Sequence, residues 1–541
     1  MKKIVLFLIV VITFSPLYSA RLYRSVDPEY QELKSLAIRN QITYPSSTPV
    51  SSKELLYALD KFPEDKKNKE WHDLYNKIES PKQLIKTADF SANISVNANA
   101  ELYIHNQTFN NALLPPYKDR KPMLSLFGEA NIADHSYLYM EFMEKDPVML
   151  KNNHASYSNF STLLDFYDNK IAIFEYMTQS YQPFRVGLSF DLNNCNLQIG
   201  RNRQSLGRGI FGNFIIGDNF SMQEYFKLTW YTKYFSYILD LTHFDQQIDE
   251  NNFSDFRFSG MHQNRVVHSF IFTPLNTLEF NISLGGIFQM DSPFDFRLIS
   301  PLSIVHSYNN FSSDPNKPDG DEGNNILSLE ASWFFLPGWN LNIQIGMDQV
   351  QLGYESKDKI PDAFGFLANI ENYTTIKNGI LSSYIEFAYT MPYLYLNYKI
   401  SEGKPDYNYD FILGYGLTEG SEIQYTGYPF GPDSIVIGLG TKYTTNRWSA
   451  SGELLWWIHG DHGIGTNNIT LEGYETNKNN TTPTSSFPQH LIKLTGSGSY
   501  NFNEMFSIFS SLSCFIVINE NTIEGRNYMK ALSTLGISFQ Y

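Results

Sequence analysis

Cysteine is scarce: only Cys195 and Cys514 occur in 541 residues. No disulfide framework organises such a chain, and two small buried thiols are the expected state. Positive charge is also short. Against 56 Asp and Glu stand 41 Lys and Arg, a formal charge of −15. That balance excludes a nucleic-acid binder, which needs a positive contact face. Long apolar runs are missing after the first 20 residues. The best candidate, 506–518, is broken by Ser507, Ser510, Ser511 and Ser513. With a mean hydropathy of −0.30, a polytopic helical membrane protein is excluded. Aromatics, by contrast, are abundant: 41 Phe, 36 Tyr and 7 Trp make 16% of the chain, too many for a disordered one. Two classes remain. One is a large soluble β protein, which would split into domains. The other is a barrel whose strands show lipid only at every second residue.

The first 20 residues read as an export leader. Lys2 and Lys3 precede an apolar run from Ile4 to Phe14, then Pro16 and Leu17-Tyr18-Ser19-Ala20. This predicts a secretory signal peptide cleaved after Ala20. The run is shorter than the ~20 residues of a spanning anchor. No Cys follows it, which argues against a lipoprotein.

Residues 27–80 carry helical signals. Asp27-Pro28 reads as a cap with proline in the first turn, followed by Leu33, Leu36 and Ala37 at helical spacing. Ser51-Ser52-Lys53-Glu54 spells a capping box, with Leu55, Leu56 and Leu59 on one face. Trp71, Leu74, Tyr75 and Ile78 mark a third helix. From Asp89 the period becomes two. Phe90, Ala92, Ile94, Val96, Ala98, Ala100, Leu102 and Ile104 alternate with a mostly polar set. A strand sorts these residues onto two faces and a helix does not. At ~3.3 Å per residue the run spans about 50 Å, longer than an ordinary globular strand.

Alternation recurs at 184–192, 278–284, 339–348, 448–458 and 492–500, with short turns such as Pro337-Gly338 and longer polar stretches such as 309–325 and 460–489. The last residues, Leu535 to Tyr541, alternate and close on an aromatic. The prediction is a mainly β protein: a transmembrane antiparallel β-barrel of about 16–18 strands with a small N-terminal helical domain. The expected division is 1–20 leader, 21–86 helical periplasmic cap or plug, and 87–541 outer-membrane barrel. A secreted sandwich or solenoid is the alternative, and no fixed-period repeat supports a solenoid.

Several motifs bear on chemistry. Gly207-Arg208-Gly209-Ile210-Phe211-Gly212 matches G-x-G-x-x-G, but no helical period follows, so a dinucleotide site is not expected. The surrounding string gathers Arg201, Arg203 and Arg208, with Asp218 and Asn219 downstream. Arginines inside a barrel need water or carboxylate partners. These five residues are therefore candidates for a ligand or lumen cluster, or for an ion-pair network holding an inward loop. His459, Asp461 and His462 have metal-capable side chains, and Asp314, Asp319, Asp321 and Glu322 only loosely resemble a calcium loop. Both read better as polar loops, and no metal or cofactor is expected. No nucleophile elbow or zinc-protease spacing appears.

The string Ile199-Gly200-Arg201-Asn202-Arg203 through Gly207, Gly209, Gly212-Asn213 and Asp218-Asn219 resembles a strand-and-loop stretch of the Wzi-type capsule-assembly outer-membrane proteins. Phe294 to Leu302 resembles that family's aromatic segment ending in Asn-Pro-Leu, with Ser300 in place of the Asn. Trp339 to Gln351 is similar to its following strand, and Phe430-Gly431-Pro432-Asp433-Ser434 to its Gly-Pro-Asp-Ser turn. The head from Asp27-Pro28 resembles the helical N-termini of such barrels. The resemblance implies an outer-membrane barrel with a helical periplasmic cap, acting without catalysis as an anchor for surface (capsular) polysaccharide. The expected partners are outer-membrane lipid, that polysaccharide and the barrel-assembly machinery, with the chain a monomer. The family's sugar-contacting residues do not map onto these strings. A porin-like channel for small polar solutes is the second reading. An outer-membrane hydrolase is a third, which needs a carboxylate or Ser–His pair at the outer rim.

Overall fold

A computed structural model describes residues 20–87, 89–105, 121–132, 136–144, 156–158, 184–220, 222–244, 262–290, 296–301, 322–349, 363–401, 404–408, 413–416, 422–463 and 481–541. The leader up to residue 19 and the carboxylates Asp314, Asp319 and Asp321 lie outside these residues. Eighteen antiparallel strands close a barrel. They are β1 (Phe90–His105), β2 (Leu124–Ile132), β3 (Ser136–Glu144), β4 (Phe184–Leu192), β5 (Cys195–Asn202), β6 (Gln223–Tyr231), β7 (Phe235–Phe244), β8 (His262–Leu275), β9 (Leu278–Met290), β10 (Glu322–Leu336), β11 (Trp339–Gln349), β12 (Ala363–Ile376), β13 (Gly379–Thr390), β14 (Ser434–Thr445), β15 (Trp448–His459), β16 (Gln489–Asn501), β17 (Phe506–Ile518) and β18 (Tyr528–Gln540). The last strand pairs with the first, from Gln540 opposite Asn97 to Leu532 opposite His105. Tyr541 and Val96 exchange two backbone hydrogen bonds of 2.8 and 2.9 Å.

The barrel is polar inside and apolar outside. On β1, Leu102 is 41% exposed while its neighbour Glu101 is 6% exposed. The same parity puts Leu188, Ile199, Ile282, Leu329, Ile385 and Leu439 outward. Ser189, Gln198, Ser283, Glu330 and Glu386 are buried inward. Lipid rewards exactly one face of each strand, which explains the period-two sequence.

At one end the strands join through tight turns. Asn193, Lys377 and Gly338 there adopt positive φ, as two-residue hairpin turns require. Aromatic groups ring this end: Trp230 with Phe235, Trp333 and Trp339 around Phe335, Tyr443 with Trp448, and Tyr500 with Phe502. Such a girdle marks a membrane–water boundary. Among the described residues no helix is long and apolar enough to cross a membrane.

Three helices precede the barrel: α1 (Pro28–Asn40), α2 (Ser52–Asp60) and α3 (Lys69–Glu79). The capping box of α2 is formed: Glu54 N–H donates to Ser51 Oγ (3.2 Å) and Ser51 N–H to Glu54 Oε1 (3.4 Å). Asp27 precedes α1, but its side chain makes no cap hydrogen bond. The Arg24 guanidinium and Arg24 N–H hold its carboxylate instead, at 2.7 Å each. A charged fork outcompetes a backbone amide for the same oxygens.

Leu33, Leu36, Leu55, Leu59, Trp71, Leu74 and Ile78 form the helical core, which continues into the barrel through Phe334. The helices sit at the tight-turn end. Thr43 N–H donates to Asn276 O (2.8 Å) and Gly338 N–H to Ile38 O (3.0 Å). Lys34 reaches Glu371 at 2.6 Å. Burial alone would lower the Lys34 ammonium, but Glu371 together with Tyr373 and Tyr44 outweighs it and holds the pKa well above the ordinary lysine value.

Candidate functional site: a lumen plugged from two ends

Inward-pointing carboxylates sit on β9, β10, β12 and β13: Glu279, Glu330, Glu371 and Glu386, all buried. Buried carboxylates require partners. Lys34 of α1 serves Glu371, and the other three take theirs from one of two chain segments that meet in the lumen. Residues 42–51 follow α1 into the lumen from the tight-turn end, and residues 203–222 fold back into it between β5 and β6. The two meet: Ser47–Thr48 pairs with Ser205–Leu206 as a two-stranded sheet, and Gly207 N–H donates to Ser46 O (2.9 Å). Lys227 Nζ and Gln198 Nε2 donate to Pro49 O at 2.7 and 3.3 Å.

Arg208 is the joint. Its guanidinium is buried, donates to Glu279 Oε1 (2.9 Å) and to Tyr44 O (2.5 Å), and lies 4.0 Å from the centre of the Tyr44 ring. Its backbone N–H donates to Glu330 Oε1 (2.8 Å). Glu386 accepts from the amides of Ile210 and Phe211 at 2.6 and 3.2 Å. Beyond this polar belt the loop turns apolar. Phe214, Ile215 and Ile216 join Tyr395, Tyr425 and Tyr428 in a buried cluster. The wall makes room with glycine: a Cβ on Gly365 would lie 2.4 Å from the Phe214 ring, and one on Gly346 2.6 Å.

The five predicted residues do not form one site. Arg208 lies at the centre of the plug. Asn219 pins the far end of the loop, its Nδ2 donating to Tyr425 O (2.5 Å) and Gly427 O (2.7 Å). Arg203 and Asp218 form a two-pronged pair within the loop, at 2.5 and 2.7 Å. Arg201 shares the outward parity of Ile199. It pairs with Glu224 and lies 4.9 Å from the Phe184 ring centre, so it belongs to the outward face, where it is nonetheless buried, apart from the other four. The Gly207–Gly212 string is loop, followed by no helix.

Sequence reasoning named Asp218, the acceptor of Arg203, but missed those of Arg208 and Arg201. Besides the four glutamates there is the buried group of Arg265, Gln204, Gln223, Asp240 and Thr242. Arg265, 1% exposed, donates to Gln204 Oε1 (3.0 Å), Gln223 Oε1 (2.9 Å) and Thr242 Oγ1 (3.0 Å). The signal was available: a charged residue at an inward strand position must be matched by something inside the barrel.

At the other end of the barrel, the described residues include a Ser–His contact. Ser434 Oγ lies 3.2 Å from His459 Nδ1. Yet Ser434 is 1% exposed, its hydroxyl donates to Phe430 O (2.8 Å) or Pro432 O (3.0 Å), and it accepts from Trp457 Nε1 (3.0 Å). A nucleophile needs access and a proton directed at its base, so this contact is a structural corner. Asp433 secures it by accepting from the backbone amides of His462 (3.2 Å) and Thr484 (3.1 Å) and from Thr484 Oγ1 (2.5 Å). Burial alone would raise the Asp433 carboxyl, but the His462 ring, 3.3 Å away at Nδ1, together with the Thr484 hydroxyl and the His462 amide outweighs it and holds it below the usual carboxylate range. Among the described residues no three or more His, Cys, Asp or Glu could hold a metal ion.

No protein-family model and no curated protein matches the sequence. Solved structures do. Wzi of Escherichia coli is described as an outer membrane protein involved in group 1 capsule assembly and a carbohydrate-binding β-barrel. It is 15% identical, with 96% of this chain and 99% of Wzi covered and a TM-score of 0.56. OccAB4 of Acinetobacter baumannii is 10% identical over 83% of this chain and 98% of its own (TM-score 0.38). OprD of Pseudomonas aeruginosa is 7% identical over 83% and 95% (TM-score 0.39). The closed barrel, apolar outside and preceded by helices, is thus an outer-membrane fold similar to that of Wzi.

Proposed function

We propose that the protein is a non-enzymatic outer-membrane barrel that anchors or assembles surface polysaccharide. The observation that carries this reading is the double plug. Residues 42–51 and 203–222 occupy the lumen side of β5–β13, and their buried ion pairs and apolar tip make them a fixed part of the wall. A diffusion channel needs water there. The tight turns suit the periplasmic side and the longer connections the cell surface, which supports a periplasmic position for the helices and leaves the outer loops for glycan. The likeness to a carbohydrate-binding barrel over nearly the whole chain supports the same role. Deleting the gene is expected to release surface polysaccharide into the medium, and the purified barrel to bind that polysaccharide. Unchanged cell-bound glycan together with no binding rejects the reading.

A channel is the second reading, and one feature favours it. Many inward positions of β15–β17 are small hydroxyls, among them Ser449, Ser451, Ser497, Ser499 and Ser511, all partly or fully exposed. The plug does not cover this side. Stable single-channel conductance in planar bilayers supports the channel, and its absence removes it.

A further inference from the structure

A polar cavity of about 240 Å³ lies between the N-terminal arm, residues 21–29, and the inner wall of β1–β4. Tyr139, Arg185, Glu141 and Asn97 line it from the barrel, and Tyr23 and Arg24 from the arm. Its arginines are already matched, and of its carboxylates only Glu29 stands without an ion pair among the described residues. Arg24 holds Asp27 at 2.7 Å, Arg185 donates to Glu141 Oε2 at 2.6 Å, and Arg21 reaches Glu129 at 3.2 Å. An anionic ligand would lose its hydration and meet no spare cation. A neutral one meets donors and acceptors on every side.

One of those groups lacks a partner. Tyr23 is 1% exposed, yet its hydroxyl makes no hydrogen bond within the protein. A buried hydroxyl left unmatched is unfavourable by about 1–3 kcal/mol, so an occupant toward which the Tyr23 ring turns its hydroxyl gains. Beside it, Tyr137 and Tyr139 stack with centroids 5.7 Å apart. The volume falls short of the ~300–1,000 Å³ of a pocket for a drug-sized ligand. It suits one ring, not several.

The cavity also has a continuation. Ser95, Asn97 and Gln540 line its side toward β18. From there inward hydroxyls run along the wall: Ser538 donates to Asn99 Oδ1 (2.6 Å), Ser499 contacts Ser449 (2.8 Å), and Ser497 contacts Ser451 (2.6 Å).

We propose that the cavity between the N-terminal arm and β1–β4 holds one neutral, polyhydroxylated sugar ring of a glycan whose chain continues along the serine wall. The proposal rests on the polysaccharide-anchoring reading and gives it a second contact, inside the barrel at the tight-turn end. Two variants of the full-length protein test it. Ser95, inward on β1, becomes tryptophan to fill the cavity. Tyr23→Phe removes only the unpartnered hydroxyl. The probe is the surface polysaccharide purified from the producing cells, titrated calorimetrically into barrel in detergent, with heat-modifiable gel mobility as the check on folding.

The expected result is at least tenfold weaker binding for Ser95→Trp and about three- to tenfold for Tyr23→Phe, with both barrels folded. Tyr23→Phe is also expected to leave thermal stability equal or higher, because it deletes an unmatched polar atom. A merely structural tyrosine would not combine weaker binding with undiminished stability. Wild-type binding that neither folded variant weakens overturns the cavity while leaving the anchor intact. No binding by wild type overturns the anchor itself. If Ser95→Trp does not fold, Tyr23→Phe alone decides.

Discussion

Replacing Arg208 by methionine keeps an unbranched apolar stem and removes the guanidinium and its charge. In the native protein this guanidinium is 1% exposed and faces Glu279, which is itself nearly inaccessible, with Glu330 bound to its backbone amide. The variant leaves these carboxylates buried without the cation. Breaking a buried pair in this way costs about 3–5 kcal/mol. At about 1.4 kcal/mol per factor of ten, opening of the plug becomes more than a hundredfold easier. The barrel ladder does not depend on Arg208, so the effect is local. Hydrogen exchange with peptide resolution reads it directly. Peptides covering 42–51 and 203–216 should exchange more than a hundredfold faster, while those from β16–β18 stay unchanged. Adding Glu279→Gln should recover part of the loss, since a neutral amide no longer needs the cation. Unchanged exchange in Arg208→Met refutes the claim that this ion pair fastens the two segments together.

Other consequences follow from the same contacts. Ser51→Ala removes the cap on α2 and should lower the stability of the helical head by about 1 kcal/mol, read as faster exchange of the Glu54 amide. Phe214→Ala empties a fully buried ring site and should cost about 3–5 kcal/mol in loop stability; Gly365→Val should also displace the loop, because the new side chain occupies the ring's place. Either change should increase protease cleavage within 203–222, and resistance equal to wild type contradicts the packing. Asp433 is depressed below its unfolded value, so the stability it gives is present above about pH 3.9 and lost as pH falls through its folded value. The amides of His462 and Thr484 should then lose protection on acidification, and Asp433→Asn should abolish that pH response.

Much of the barrel was legible in the sequence because lipid and lumen impose opposite demands on alternate residues. The runs at 90–104 and 339–348 display that demand without help from tertiary structure. The three helices were legible from caps and spacing, although Asp27 spends its carboxylate on Arg24. The plug was only half legible. Arg203 and Arg208 stood out as arginines needing partners, but their acceptors lie elsewhere: Asp218 within the loop, and Glu279 and Glu330 on strands remote in sequence. Only closure of the barrel brings Glu279 and Glu330 to Arg208. Arg201 was grouped with them by adjacency, whereas strand parity turns it to the other face.

The seam between β1 and β18 joins the start of the barrel to the end of the chain. The loop 203–222 is tethered at both ends, and residues 42–51 interlock with it inside the wall. An object anchored in this way is difficult to thread into a finished cylinder. The two segments would therefore need to find each other while the sheet is still an open, curling ribbon, with Tyr541 the last residue to lock. The order of the chain interleaves the two: one half of the stopper, five strands, the other half, and then the strands that close the wall around it.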